Sequence, residues 1–502
     1  MITGYLAEQI RLAEAPLLAA GEPLMRRAAR AVADTALGLL PVDSPTVLVL
    51  VGGGNNGGDG LFAGAELAGA AQVTVVVAKQ NPHPEGLAAA VAAGVEVIDA
   101  STMDEGLAAL LTRRAAAADV WIDALAGIGV RGALRGTASH LVAMLRVVAA
   151  APLPPTVIAV DIPSGVDADT GAMAGPVLAA DITVTFGAAK AGALLPPGAD
   201  MVGRLQIVPL GIDDQLVGAP AAVLRATDAD AAQLWPVPQR NTHKYSRGVV
   251  GVYAGSDQYP GAAVLTVGAA VRSGCGMVRY LGSPVPTGLV LAAWPEVVAV
   301  PGRAQAWVIG PGVAGERDLE RAGEVVAAAI EAHQPVVLDA GALAKVPEPE
   351  RIAGRPVLLT PHAGELATLL GDRGETVDRE QVEAEPVHWA IRAANLTGAT
   401  VLLKGAVTVV ASPGGEVYSQ DDGTPWLATA GAGDVLAGIA GTLLAQVPAA
   451  RASVARVAAM AALVHGRAAV RASSGGPIGA SDVVAALPQT IVDLLTAGTL
   501  DR

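Results

Sequence analysis

The stretch TVLVLVGGGNNGGDGLF, Thr46 to Phe62, sets an unbroken aliphatic run directly before a glycine-rich segment. Every residue of Thr46–Val51 is apolar or β-branched, which predicts a strand buried on both faces and hence a parallel sheet covered by helices on either side. Gly52 to Gly60 then reads as a loop, with a helix predicted to begin at Leu61. Glycines let the backbone come close to an anion, and the free amides and dipole at a helix start favour negative charge there. Strand, loop and helix in this order form a phosphate cradle. Gly52, Gly54 and Gly57 also satisfy G-x-G-x-x-G, but the next predicted strand runs into Ala78 and Lys79, where the acid that would accept hydrogen bonds from a ribose is missing. Hydride-transfer chemistry on a bound dinucleotide is disfavoured on that ground.

The same alternation of short Val/Ile/Leu runs with Ala-rich helical segments extends outward in both directions. In the first half it predicts strands at Val73–Ala78, Val95–Ile98, Val120–Asp123, Val157–Asp161, Ile182–Phe186 and Leu205–Pro209, after an opening helix around Glu8–Leu39. The pattern lapses over Asp213–Ala222 and restarts with predicted strands at Val249–Ala254, Val278–Leu281, Val297–Val300, Ala306–Ile309, Val336–Asp339, Val357–Thr360, Val401–Leu403 and Val407–Ala411. Two α/β domains are expected, over residues 1–215 and 222–502, with no repeat relating them.

Composition narrows the function. The 502 residues carry 33 Lys and Arg against 47 Asp and Glu, a formal charge of −14, the wrong sign for a general binder of nucleic acid. Two Phe, six Tyr and six Trp leave little for stacking bases. No long apolar run is free of charge or Pro and Gly clusters, so no membrane span is expected. The N-terminus lacks the basic-then-apolar order of a signal peptide, and the single cysteine, Cys275, permits no internal disulfide. A cytoplasmic location is expected.

Polar residues recur where the strands of the first half end. Asp123 opens DALAGIGVRG, Asp161 opens DIPSG with Ser164, and Lys190 lies in TFGAAKAG. Ligands of open α/β sheets bind outside the carboxyl ends of the strands, so these side chains should converge on Gly52–Gly60. Oxygen donors from Asn56, Asp123 and Ser164 suit a hard cation better than zinc. GGGNNGGDG, DALAGIGVRG, DIPSG and TFGAAKAG, after an opening LMRRAARAVA, resemble the NAD(P)HX epimerase family over residues 1–212. The resemblance implies a Rossmann-like domain that interconverts the epimers of hydrated nicotinamide cofactor. It implies potassium at Asn56, Asp123 and Ser164. It gives the hydrated cofactor Asn55, Asn56, Gly57, Gly58 and Asp59, then Gly127, Ile128, Gly129, Val130, Arg131, Gly132 and Ala133, and Asp161. Epimerisation needs a group that moves a proton, and Asp161 is the expected catalytic carboxylate, with Lys190 as an assistant or phosphate contact.

In the second half TAGAGDVLAGIAG, Thr429 to Gly441, sets Gly431 and Gly433 at a helix start beside Asp434. Amides that hold phosphate charge beside a carboxylate that can take a hydroxyl proton suit phosphoryl transfer. KGAVT, Lys404 to Thr408, reads as a hairpin, and Lys404 is one of five lysines against 28 arginines, a compact ammonium where a guanidinium would not serve. IGPG (Ile309 to Gly312) and TPHAGE (Thr360 to Glu365) follow predicted strands; His362 reads equally as a structural histidine. AGSDQYPGAAVL, Ala254 to Leu265, adds a loop before small helix residues that admit a planar ligand. Together these motifs, with HKYSRG (His243 to Gly248), resemble the ribokinase-like fold and its ADP-dependent NAD(P)HX dehydratase branch over about 225–490. The resemblance implies that Lys404, Gly405, Ala406, Val407, Thr408 and Gly433 contact ADP, supplied with magnesium. It sets Ala262, Gly312, His362 and Asp434 against the hydrated cofactor, with Asp434 as general base.

The expectation is a bifunctional repair enzyme acting on NADHX and NADPHX. One domain equilibrates the R and S epimers, and the other dehydrates the S form with ADP, giving AMP and phosphate. The rivals are a vitamin or sugar kinase fused to a nucleotide-binding sensor, which predicts a stable phosphorylated product, and a first half that serves only as a non-catalytic scaffold. The apolar helix predicted over Val454–Val464 makes a homo-oligomer the expected assembly.

Overall fold

A computed structural model describes residues 1–129 and 131–500, with side chains to residue 496. The chain divides into two compact units, Thr3–Val223 and the remainder from Leu224 together with Met1 and Ile2. Each is a three-layer αβα unit, the expected fold class.

The first unit is built on an all-parallel sheet in the order Glu96–Asp99, Gln72–Val77, Thr46–Val51, Val120–Ala124, Thr156–Val160, Ile182–Phe186, Arg204–Val208. The strand Thr46–Val51 shows why it reads as continuously apolar. Val47, Val49 and Val51 pack under the helix pair Leu24–Leu37 and Gly54–Leu67, whereas Leu48 and Leu50 face Trp121, Leu111 and Leu141 on the opposite side. Strand order reverses between Thr46–Val51 and Val120–Ala124, and the Gly52 amide donates to the Ala124 carbonyl at 3.0 Å, so the glycine segment sits at the switch point of the sheet.

Three expectations need correction here. The helix begins at Gly54, not Leu61, and most of the glycine segment is its first two turns. A Cβ at Gly57 would lie 2.3 Å from the Gly52 carbonyl oxygen, and one at Gly60 2.5 Å from the Ala124 methyl; these glycines seat a helix against strands instead of loosening a loop. The opening helix is two, Ala7–Ala19 and Leu24–Leu37, broken at Gly21, whose φ is +81°, and at Pro23. Val297–Val300 forms no strand; only Val298 bridges to Arg279.

The second unit carries the order Met277–Tyr280, Val249–Tyr253, Ala306–Ile309, Val336–Leu338, Val357–Leu359, Thr400–Leu403, all parallel, then Thr408–Ala411 and Val417–Gln420 in antiparallel succession. Helices Pro260–Arg272, Ala432–Gln446 and Val454–Ser473 cover one face, and Glu316–Glu331, Ala363–Gly371 and Pro386–Thr397 the other. Val454–Ser473 is buried over most of Ala455 to Gly466 within its own unit, and exposed at Arg467, Val470 and Arg471. The apolar surface that suggested an oligomer is therefore already covered. Among the described residues no helix is long and apolar enough to cross a membrane.

Two candidate active sites

In the first unit the strand Thr156–Val160 ends one residue before Asp161, whose backbone is left-handed at φ +71°. A non-glycine residue holds that conformation only when its surroundings compensate, and here they are polar and specific. Lys190, its side chain 1 % exposed, donates to Asp161 Oδ1, to the Phe186 carbonyl at 2.9 Å and to Thr185 Oγ at 3.1 Å. Thr185 Oγ donates to the same carboxylate oxygen at 3.1 Å, and the Phe186 amide approaches it at 3.4 Å. One oxygen is thus anchored, and no described residue bonds Oδ2. Burial, then the charges of Asp161 and Glu14, push the Asp59 carboxyl well above the ordinary aspartate range, with Lys190 opposing them. Burial likewise raises Glu14, whose neighbours are Lys190 and Asp161. Glu14 and Thr185 escaped the sequence reading. Glu14 lies on a helix that carries no motif, and Thr185, the first residue of TFGAAKAG, was passed over for the lysine five positions on.

A second polar knot lies beside it. Ser164 donates through Oγ to Asp123 Oδ1 at 2.6 Å and through its amide to Oδ2 at 2.9 Å, and its Oγ accepts from the Ala126 amide at 2.8 Å. Asn56 is 8 % exposed, yet neither its Oδ1 nor its Nδ2 has a partner among the described residues. A Cβ on Gly127 would lie 2.9 Å from that Oδ1, so the amide is pressed against the Gly127 turn, next to the loop that Ser164 holds. An orphaned amide in a native core calls for a partner, a water or an ion included, because leaving it unpaired costs about 1–3 kcal/mol. The oxygens of Asn56, Asp123 and Ser164 suit a weakly demanding monovalent cation. Of the predicted cofactor loop, Gly127, Ile128, Gly129, Arg131, Gly132 and Ala133 are described, and Val130 lies outside the described residues. Arg11 donates to the Ile128 carbonyl at 2.8 Å, and Arg131 pairs with Asp169 at 3.4 Å.

In the second unit Gly431, at φ +88°, caps the helix Ala432–Gln446, which puts Asp434 inside its first turn. A Cβ on Gly433 would lie 3.3 Å from Lys404 Nζ, so the ammonium rests on that turn. Lys404 ends the strand Thr400–Leu403 and donates to Asp339 Oδ1 at 2.7 Å; Glu365 Oε2 lies 3.6 Å away. Asp339, almost fully buried, also accepts from Thr360 Oγ at 2.9 Å. Burial pulls the Lys404 ammonium down, but Asp339, Glu365 and Asp434 raise it above the ordinary lysine value. Burial first, then Asp339 and Glu365, push the Asp434 carboxyl up to about 7, against the pull of Lys404. No described residue donates a hydrogen bond to it.

Gly405 and Ala406 are exposed at the hairpin tip, Val407 is buried and Thr408 opens the next strand. Gly312, at φ +64°, approaches Ala262 so closely that a Cβ would meet the Ala262 methyl at 2.4 Å. His362 caps the helix Ala363–Gly371 in a reciprocal box with Glu365, accepting from the Glu365 amide at 3.2 Å, and its ring is more than half exposed. The histidine is thus both a cap and a surface group. Asp339, Glu365 and His465 were missed in the sequence. His465 is buried on Val454–Ser473, bonds the backbone of Ala432 and leaves Nε2 without a partner among the described residues; burial pushes its ring down to about 4.

Each unit therefore sets a glycine-bearing helix start beside a carboxylate and a buried or half-buried lysine, which defines a two-site enzyme of the α/β class. Residues 250–487 match the family described as NAD(P)H-hydrate dehydratase, and residues 21–192 that described as YjeF-related protein N-terminus. A bifunctional NAD(P)H-hydrate repair enzyme of Mycobacterium tuberculosis is 42% identical over 459 residues, covering 88% of this chain and 89% of its own. An NAD(P)H-hydrate epimerase of Microbacterium testaceum is 45% identical over 232 residues, covering 45% of this chain and 86% of its own. Among solved structures, the ADP/ATP-dependent NAD(P)H-hydrate dehydratase of Bacillus subtilis, co-crystallised with ATP and Mg2+, is 27% identical with a TM-score of 0.47, over 54% of this chain and 99% of that one. The chain belongs to the family of bifunctional NAD(P)H-hydrate repair enzymes.

Proposed function

We propose that the first unit interconverts the R and S epimers of NADHX and NADPHX and that the second converts the S form to NADH or NADPH with ADP as the phosphoryl donor. In the first site Asp161 carries the proton that moves as the ring hydroxyl is lost and regained. The anchoring of its Oδ1 by Lys190 and Thr185 supports this role, because it leaves Oδ2 free for the substrate. Asn55, Asn56, Gly57, Gly58, Asp59 and the loop from Gly127 to Ala133 hold the hydrated dinucleotide. Asn56, Asp123 and Ser164 would hold potassium, which would supply fixed positive charge to an acidic protein binding an anion; the orphaned Asn56 amide supports that assignment.

In the second site Lys404, Gly405, Ala406, Val407, Thr408 and Gly433 bind the phosphates of ADP, delivered as its magnesium complex. Ala262, Gly312 and His362 line the hydrated nicotinamide. Asp434 takes the proton of the ring hydroxyl as its oxygen forms a bond to the β-phosphorus of ADP. The bond from that phosphorus to the bridging oxygen breaks, and AMP leaves. The carbon–oxygen bond to the new phosphate then breaks, phosphate departs, and the neighbouring ring carbon gives up a proton to restore the double bond. Phosphorylation turns a poor leaving group into a good one.

The observation that carries this reading is Lys404, held by Asp339 against the Gly433 turn beside an unbonded carboxylate with a pKa near 7. A base of that value is about half ionised at neutral pH and still basic enough to accept a proton. The test incubates the protein with a mixed-epimer NADHX pool and ADP. The expected result is full recovery of reduced nicotinamide absorbance with one AMP and one phosphate per turnover. A stable phosphorylated product would favour a kinase instead. The full-length Asp161→Ala variant should recover only the S fraction at the parent's rate, and full conversion by it would remove Asp161 from the mechanism.

A further inference from the structure

We infer that Lys79 contacts the 2′-phosphate of NADPHX and gives the first site its preference between the phosphorylated and unphosphorylated cofactor, an inference that rests on reading that site as the epimerase. Lys79 follows the strand Gln72–Val77 by two residues, at the carboxyl edge of the sheet. Its side chain crosses the start of the glycine helix. Lys79 Cδ lies 3.2 Å and Nζ 3.6 Å from where a Cβ on Gly53 would stand. Gly53 precedes the helix Gly54–Leu67, and no side chain caps it.

The ammonium is exposed and forms no ion pair or hydrogen bond with a described residue. An unpaired cation at this helix start is conspicuous in a chain with 47 acids and 33 bases. On the first turn of the same helix the buried Asn56 amide, assigned above to the cation, has no partner among the described residues, so this turn carries polar groups that await a ligand. In doubly wound sheets the end of the second strand meets the adenosine ribose. An acid there accepts from the 2′-hydroxyl, whereas a cation accommodates a 2′-phosphate. Lys79 stands at that end, where the acid is absent.

The test measures epimerisation of NADPHX and NADHX separately in the full-length parent, Lys79→Met and Lys79→Arg, with adenosine 2′,5′-bisphosphate and AMP as competitive inhibitors. Loss of one charge-assisted contact should raise KM for NADPHX and the inhibition constant of the bisphosphate by ~10-fold or more in Lys79→Met. KM for NADHX, inhibition by AMP and kcat for both substrates should change by less than about twofold on the same ground. Lys79→Arg should keep most of the preference. Equal losses with both cofactors would move Lys79 to the shared diphosphate, and no change would remove it from the site; either overturns the inference. A parent that epimerises neither substrate would instead defeat the reading of the site itself.

Discussion

Asp434 shows what a single carboxylate contributes when burial and two acidic neighbours raise it to about 7. As a base it must be ionised, so the dehydratase rate should rise with pH and level off above about 7, and Asp434→Asn should cost ~10²–10⁴-fold in kcat. Stability runs the other way. The folded value lies above the unfolded 3.8, so the group's stabilising contribution is whole below that pH and is lost as pH rises through about 7. Thermal unfolding should therefore show Asp434→Asn more stable than the parent at pH 8, by roughly 1–3 kcal/mol, with the gap closing towards pH 4. Lys404→Met should do the opposite. It leaves Asp339 buried without its ammonium and should cost about 2–4 kcal/mol, read in the same unfolding curves, together with ADP-dependent turnover. Asp434 was legible because two glycines flank it. Asp339 was not, since an aspartate after a strand is ordinarily a turn former, and only Lys404, 65 residues on in the chain, shows what it holds.

At the level of elements, the long apolar strands were legible, and Thr46–Val51, Ile182–Phe186 and Ala306–Ile309 end where their apolar runs end, whereas the short strands Ile2–Tyr5, Ala189–Lys190 and Val223–Arg225 were not anticipated. Val417–Gln420 was missed because it is half polar and borrows its place from Thr408–Ala411 beside it. The glycine helix was misread for a different reason. Propensity ranks Gly last but Pro in a helix, and nothing local shows that Gly57 and Gly60 are pressed against Gly52 and Ala124. Gly57→Ala should accordingly destabilise the first unit by about 1–3 kcal/mol and abolish epimerisation while dehydration of pure S-NADHX persists. Gly69→Ala, where a methyl meets nothing within 4 Å, should change neither activity and serves as the control. Retained epimerisation in Gly57→Ala would mean that the helix shifts to make room.

For the whole molecule, the two units have separate cores and separate sites, and the epimers pass between them as diffusible molecules under the proposed function. Asp161→Ala and Asp434→Ala proteins mixed in equal amounts should convert a mixed-epimer pool completely, although the first alone leaves the R fraction and the second leaves everything. Incomplete conversion by the mixture would show that the intermediate must be handed on within one chain. The acidic charge of −14 was plain from composition, but how the chain nevertheless receives anions was not. The structure answers with local devices, a few isolated lysines among them. Those lysines also decide how the protein meets amine chemistry. Lys190 is sealed in the first unit, Lys404 is largely covered and Lys345 is half-buried, while Lys79 and Lys244 stand exposed. An amine-directed dye or crosslinker would therefore favour two of the five lysines, one of them at the rim of the proposed first site, so that a fluorophore attached without any mutation could report cofactor arriving there.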